Sequence, residues 1–428
     1  MSRGIPADSW KRIRPGRLIQ NAVALMLSSG GTAVLGVVFW GIATHLASSA
    51  AIGRTSAEIA AMTLLANLAQ LSFGSVFERF LPVAGELTRS FVARAYVMCV
   101  SFALVATIVY VSSGFTNRFL PSSFSWRLLF VAAVVFWTIF VLQDSVLIGL
   151  RASRWVPVEN ILFALAKLAL LPVFLGVSAS QGIFLAWSAP VALAIIGVTW
   201  YLFGTRIPEH EAMNPSSEEL PSIRELVLLA GAQYTTLILS VFTTSIVTLI
   251  VIERLGAVAN AYFYVPALIS SGVALLLWAI TRSFLVEAAS EPYALRHHTN
   301  VLIGTLAAVL IPCVLVGAVF APEFLRIFGS SYSVHGTTLL RMLLLSELLG
   351  VFSIFYTTFA WLDQRVWWTT LRQLVSVIVY FVVLLTLIGH FGILSVGIAS
   401  LVSSGVQGIF FLPVSVKRYR LTSNADAP

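Results

Sequence analysis

The chain has 428 residues, of which 58% are hydrophobic and 10% charged, and its mean hydropathy is +0.93. A soluble domain carries about 25% charged residues, so a soluble fold of this length is excluded and lipid is the expected solvent. The net charge of +8 does not point to nucleic acid, because the basic residues gather in short loops and at the N-terminus.

Lipid requires each backbone N–H and C=O to be satisfied inside the spanning segment, which leaves helices or closed barrels. Barrel strands alternate apolar and polar residues. This chain instead has unbroken apolar runs, such as 97–111 and 375–388, so helices are expected. In chain order, Arg3, Lys11, Arg12, Arg14 and Arg17 precede a long apolar segment that reads as an uncleaved first span rather than a signal peptide. A span needs about 20 apolar residues. Six are expected near 18–46, 56–82, 92–113, 127–150, 157–177 and 182–204. Residues 205–224, with three prolines and four glutamates, form a polar linker near the midpoint. Six more spans follow near 226–252, 257–285, 299–320, 337–361, 366–388 and 392–415. Pro266 and Pro312 fall inside spans, where they are expected to kink the helix.

The expected fold is therefore an all-α membrane protein of about twelve transmembrane helices, in two halves of six (1–204 and 225–428). An offset of 203 residues sets Gly53 on Gly256 and Arg79 on Arg282, which is suggestive of an internal repeat. One set of alternate gaps collects 19 of the 26 Lys and Arg residues and the other set 5; Lys167 and Arg341 stay inside spans. That asymmetry puts both termini in the cytoplasm.

No Gly-rich loop ends in Lys-Ser or Lys-Thr, so an ATP phosphate cradle is not expected. No H-E-x-x-H or paired C-x-x-C offers a zinc site. Cys99 and Cys313 lie in apolar runs and read as small hydrophobes. The external loop near 114–126 is short and has no acid to hold a glycan acceptor. Neither catalytic residues nor a cofactor or metal are expected, and the classes left are transporters and flippases.

Several polar residues inside spans are candidates for binding or coupling, since an ionisable group at mid-bilayer usually faces a cavity or a partner. Lys167 lies about ten residues from either end of its span, ~15 Å of helix, too deep to snorkel. It either lines the cavity or pairs with an acid such as Asp144 or Glu347. Glu347 is an ion site or a counter-ion, and Asp144 an ion site or an interfacial partner of Arg151. Arg341 lines the cavity or snorkels to the interface. Arg79 and Arg282, at repeat-related span ends, are topology anchors or a clasp for an anionic group, which suits arginine's bidentate fork. Asn67 and Gln70 share a helix face at i, i+3. They and Gln233 bond neighbouring helices or sugar hydroxyls.

A-P-E-F-L-R-I-F-G-S-S-Y at 321–332, N-A-V-A-L-M-L-S-S-G from Asn21, L-A-N-L-A-Q-L with E-R-F-L-P at 78–82, and F-G-I-L-S-V-G-I-A at 391–399 carry a resemblance. The chain resembles the polysaccharide-type flippases of the multidrug/oligosaccharidyl-lipid/polysaccharide exporter superfamily. The resemblance implies two six-helix lobes around a central cavity, alternating access, and a polyprenyl-pyrophosphate-linked oligosaccharide moved from the inner to the outer leaflet of a bacterial plasma membrane. Glycosyltransferases or a polymerase of the same pathway are then candidate partners, and Lys167 would draw the pyrophosphate or an acidic sugar. Residues 18–46 lack the acid and proline that multidrug extruders generally carry in their first span. Peptidoglycan lipid flippases usually have two further spans and arginines in the first helix. Both departures favour the oligosaccharide branch, with a cation-coupled small-molecule antiporter next and an integral-membrane glycan polymerase or transferase as the reading from another class.

Overall fold

A computed structural model describes residues 15–114, 116–178, 181–213, 223–290, 295–362 and 366–424. All regular structure among them is helical. The first half contains α1 (Pro15–Leu46), α2 (Ser49–Ala69), α3 (Phe73–Phe80), α4 (Thr88–Ser112), α5 (Phe124–Gly149), α6 (Trp155–Val177), α7 (Gly182–Tyr201) and α8 (Ile207–Met213). The second half contains α9 (Ile223–Leu255), α10 (Ala257–Ser290), α11 (Leu295–Val319), α12 (Ala321–Arg326), α13 (Ser330–Leu362), α14 (Val366–Phe391) and α15 (Leu394–Asn424).

Ten described helices are long and apolar enough to cross a bilayer. A bent pair, Ser49–Ala69 with Phe73–Val83, makes an eleventh. The first helix, apolar over Gly31–Leu46, makes the twelfth. Large apolar side chains such as Val97, Val105, Leu193 and Ile409 stand exposed on their outward faces. Water would not tolerate a belt of that extent, and lipid does. Helices α1–α7 pack against one another, as do α9–α15, and α2 crosses from the first group onto α9 and α10. The twelve spans thus form two groups of six.

Two expectations change. The second span is not one helix over 56–82. It begins at Ser49, where the Ser48 hydroxyl caps the Ala51 N–H at 3.3 Å. It then breaks at 70–72 with a bend of 49°, where Leu71 and Ser72 take positive φ of 49° and 68°. Left-handed backbone is unfavourable for residues with a Cβ, so outside contacts hold this break. The Leu68 carbonyl accepts from the Tyr234 hydroxyl of α9 at 2.7 Å. The Gln70 carbonyl accepts from Cys99 Sγ of α4 at 3.5 Å.

The second change concerns the polar linker. Its first part is helical: a π turn over Leu202–Arg206 leads into α8. Leu202 and Ile207 join a buried cluster with Phe77 and Leu142. The His210 ring meets the Leu81 carbonyl at 3.0 Å, and Glu211 accepts from the Arg89 N–H at 2.8 Å. Residues 214–222, the remainder of the linker, lie outside the described residues.

The two groups of spans are sealed together at the end opposite the Arg-rich loops. There Gly53 lies so close to α10 that an added Cβ would sit 1.7 Å from the Ala257 carbonyl oxygen. Asn260, fully buried, donates to the Gly53 carbonyl at 2.8 Å and to the Ser56 hydroxyl at 3.0 Å. Arg118 Nε pairs with Glu253 at 3.2 Å beside this seam, on exposed side chains, where an ion pair is worth at most about 1 kcal/mol.

Candidate functional site

The first lobe concentrates the buried ionisable groups. Helix α6 packs against α1 and α7, and it carries Glu159, Phe163 and Lys167 at four-residue steps along one face. Lys167 is 4% exposed. Its Nζ lies 3.7 Å from the ring centroid of Trp187, 5.1 Å from Phe163 and 5.4 Å from Phe39. Trp40, Trp137, Phe140 and Tyr264 extend the aromatic shell, with Trp40 and Tyr264 at 4.7 Å between centroids. Tyr264 belongs to α10, so the second lobe supplies one wall. Among the described residues no carboxylate lies within ion-pair distance of Lys167. Of the two alternatives for Lys167, the pairing with Asp144 or Glu347 is not found among the described residues: ring quadrupoles hold the ammonium, which can be worth about 2 kcal/mol when desolvated.

The acids sit elsewhere. Asp144 of α5 accepts from Asn160 Nδ2 at 3.2 Å, not from Arg151, whose side chain is exposed. Asp144 is also the electrostatic neighbour of Glu159. Glu159 is 6% exposed, and neither of its oxygens has a hydrogen-bond partner. The nearby Tyr96 hydroxyl of α4 is buried and likewise without one. Two carboxylates near enough to repel each other in a low-dielectric interior are eased by a proton or a cation taken up there. A second buried acid, Glu58 of α2, is 3% exposed and has one oxygen unpartnered. Its electrostatic neighbours are the Trp126 indole and Arg54. No cluster of three or more His, Cys, Asp or Glu side chains that could hold a metal occurs among the described residues.

The second lobe holds two polar sites. Glu347 of α13 accepts from the Ser270 hydroxyl of α10 at 3.4 Å. Arg372 of α14 is inside its span rather than in the loop to which the charge count assigned it. It donates to the Ser353 hydroxyl and to Gln407 Oε1, and to Gln373 Oε1 at 3.1 Å. Gln407 Nε2 donates in turn to Ser376 at 2.8 Å.

The other predicted residues scatter. Arg341 is exposed, and its Nε donates to the Ala318 carbonyl at the end of α11 at 2.8 Å, which is the snorkelling arrangement. Arg79 is exposed over the Phe80 ring, and Arg282 is exposed with Glu78 as electrostatic neighbour. Asn67 and Gln70 share a face as expected and bond each other at 3.0 Å. The side chain of Gln233 lies outside the described residues. Sequence reasoning missed Glu58, Glu159, Tyr96 and Asn160. The placing of Glu159 eight residues before Lys167, on the same helix face, was the available signal.

No protein-family profile matches the chain, and no curated protein does. Solved structures do. A MOP-superfamily transporter from Pyrococcus furiosus, described as having a binding pocket of reversed polarity, superposes with a TM-score of 0.65 at 15% identity. The match covers 98% of this chain and 99% of that one. An outward-facing multidrug resistance MATE family transporter matches with a TM-score of 0.64 at 14% identity, over 99% and 100% of the two chains. The fold is that of the MATE transporters. Its twelve helices in two lobes agree with the groups of six found here. A MATE transporter in complex with MaL6 matches equally well, at a TM-score of 0.64 and 14% identity over 95% and 96%. Two of these structures are MATE transporters and the third is described only as a MOP-superfamily transporter; none is described as an oligosaccharide flippase, the branch expected from the sequence.

Proposed function

We propose that the chain is a cation-coupled transporter of small molecules that works by alternating access between its lobes. The observation that carries this reading is the Asp144–Glu159 pair. Glu159 is buried and Asp144 half-buried in a spanning bundle, Tyr96 and Asn160 are their polar surroundings, and no base is among their described partners. An intramembrane acid pair without a base is a place to load and release a proton or small cation. Movement of the first lobe against the second, about the seam at Gly53 and Asn260, would present it to alternate sides. The test is uptake of a panel of labelled organic anions and cations into proteoliposomes under an imposed proton or sodium gradient. Gradient-driven uptake that is lost in Asp144→Asn and Glu159→Gln supports the reading. Absence of gradient-driven uptake for every compound overturns it.

A second reading, translocation of a polyprenyl-pyrophosphate-linked oligosaccharide in the plasma membrane, is favoured by the Lys167 site. Aromatic faces suit sugar rings, and an ammonium suits a pyrophosphate. In that reading glycosyltransferases or a polymerase would hand over or receive the substrate. Reconstitution with labelled lipid-linked oligosaccharide tests it: translocation without chain growth supports flipping, and chain growth marks a polymerase instead.

A further inference from the structure

The Lys167 ammonium and the Trp187 indole are hydrogen-bond donors that meet no acceptor among the described residues. A lysine ammonium has three donors and an indole N–H one, and neither side chain accepts. Lys167 makes no hydrogen bond or ion pair among the described residues. Trp187 Nε1, on the ring that lies 3.7 Å from the ammonium, is buried without an acceptor. A polar group buried without a partner, as the Trp187 indole N–H is, is costly, and the ammonium beside it has no acceptor among the described residues either, so the two donors ask for the same missing thing, an anionic oxygen. The surrounding walls are flat and apolar: Phe39, Phe163, Trp40 and Trp187, with Tyr264 closing over Trp40 from the other lobe.

We propose that Lys167 and these rings form a binding site for a small organic anion with a flat apolar body. The ammonium and the Trp187 indole would meet the anionic oxygens, and the body would lie against the rings. The site is shut in the present arrangement, since Lys167 and Phe39 are buried. Tyr264 is the wall that leaves when α10 moves from α1, so opening the lobes would uncover it. This inference rests on the transporter reading for that motion and deepens it by naming the substrate class.

The test is equilibrium binding, which needs no transport. Purified full-length protein in lipid nanodiscs is titrated with benzenesulfonate, benzenesulfonamide and phenyltrimethylammonium, one ring with negative, neutral and positive heads. Empty nanodiscs serve as the control for partitioning into lipid. The expected result is saturable benzenesulfonate binding, with a dissociation constant on the order of a millimolar or below, and about tenfold weaker binding of the sulfonamide. Lys167→Arg should keep that preference. Lys167→Met should bring the anion to within about twofold of the sulfonamide. No saturable benzenesulfonate binding, equal binding of all three probes, or an undiminished preference in Lys167→Met would overturn the proposal. If Lys167→Met does not fold, as judged by its thermal transition, the preference of the wild type and of Lys167→Arg decides alone. Anion binding without gradient-driven uptake would sink the coupled-transport reading and leave this site standing.

Discussion

Asn260→Ala removes the two hydrogen bonds that close the seam between the lobes, to the Gly53 carbonyl and the Ser56 hydroxyl. The loss is not compounded by stranded partners. Ser56 Oγ already donates to the Gly53 carbonyl at 3.0 Å, so that carbonyl keeps a donor and the hydroxyl keeps its acceptor. Each lost bond is then worth its net contribution, about 1 kcal/mol, and together they give about 1–2 kcal/mol. That is a factor of about 5–30 in the ratio of sealed to open seam. Spin labels at Asn117 and Arg254, both exposed beside the seam, would read the ratio as the short-distance fraction in a dipolar measurement. The background would be Cys99→Ser, which keeps a donor to the Gln70 carbonyl, with Cys313→Ala. The variant should lose most of the short-distance fraction while its thermal transition moves little. An unchanged distance distribution in a folded variant would refute the assignment of Asn260 as the latch.

Gly53→Ala should be more severe, because its Cβ would meet the backbone of Ala257 rather than a movable side chain. The same labels should then show no sealed population. Ser72→Gly relieves a left-handed residue and should raise the thermal midpoint, by an amount equivalent to about 1 kcal/mol; a fall in the midpoint would show that the serine side chain matters more than its backbone. Tyr234→Phe removes the hydroxyl bonded to the Leu68 carbonyl and should cost about 1 kcal/mol in thermal stability. Arg372→Met leaves Ser353 bonded to Gln407 at 2.8 Å. It should therefore destabilise by only about 1–3 kcal/mol, checked by thermal unfolding, rather than abolish folding.

The layout of spans was legible because lipid leaves few alternatives. A run of about 20 apolar residues between charged turns is a helix whether or not its packing is known. The break at 70–72 was not legible, since neither Leu71 nor Ser72 is a helix breaker and the support comes from Tyr234 and Cys99, far away in sequence. Lys167 stood out because depth alone makes a lysine conspicuous. Glu58 and Glu159 did not, for a reason of boundaries. The second span drawn from 56 and the fifth from 157 leave both acids in the first turn of their helices. The helices actually begin at Ser49 and Trp155, and the fold around their starts buries both. Arg372 was hidden in the same way: its position near a span end put it with the loop charges, while Ser353 of α13 and Gln407 of α15 accept from it inside.

The dependence of the second span on Tyr234 bears on how the protein is made. During synthesis α2 and α3 enter the membrane long before α9 exists, yet the carbonyl at their break is bonded by a hydroxyl 166 residues downstream. The first lobe therefore emerges with its bent span lacking one of its supports, and that support arrives only when the second lobe begins. A chain stopped after α7 would retain the Cys99 contact and lack the Tyr234 one. Completion of the first half is in this respect a task of the second half, and order of synthesis and order of assembly are not the same.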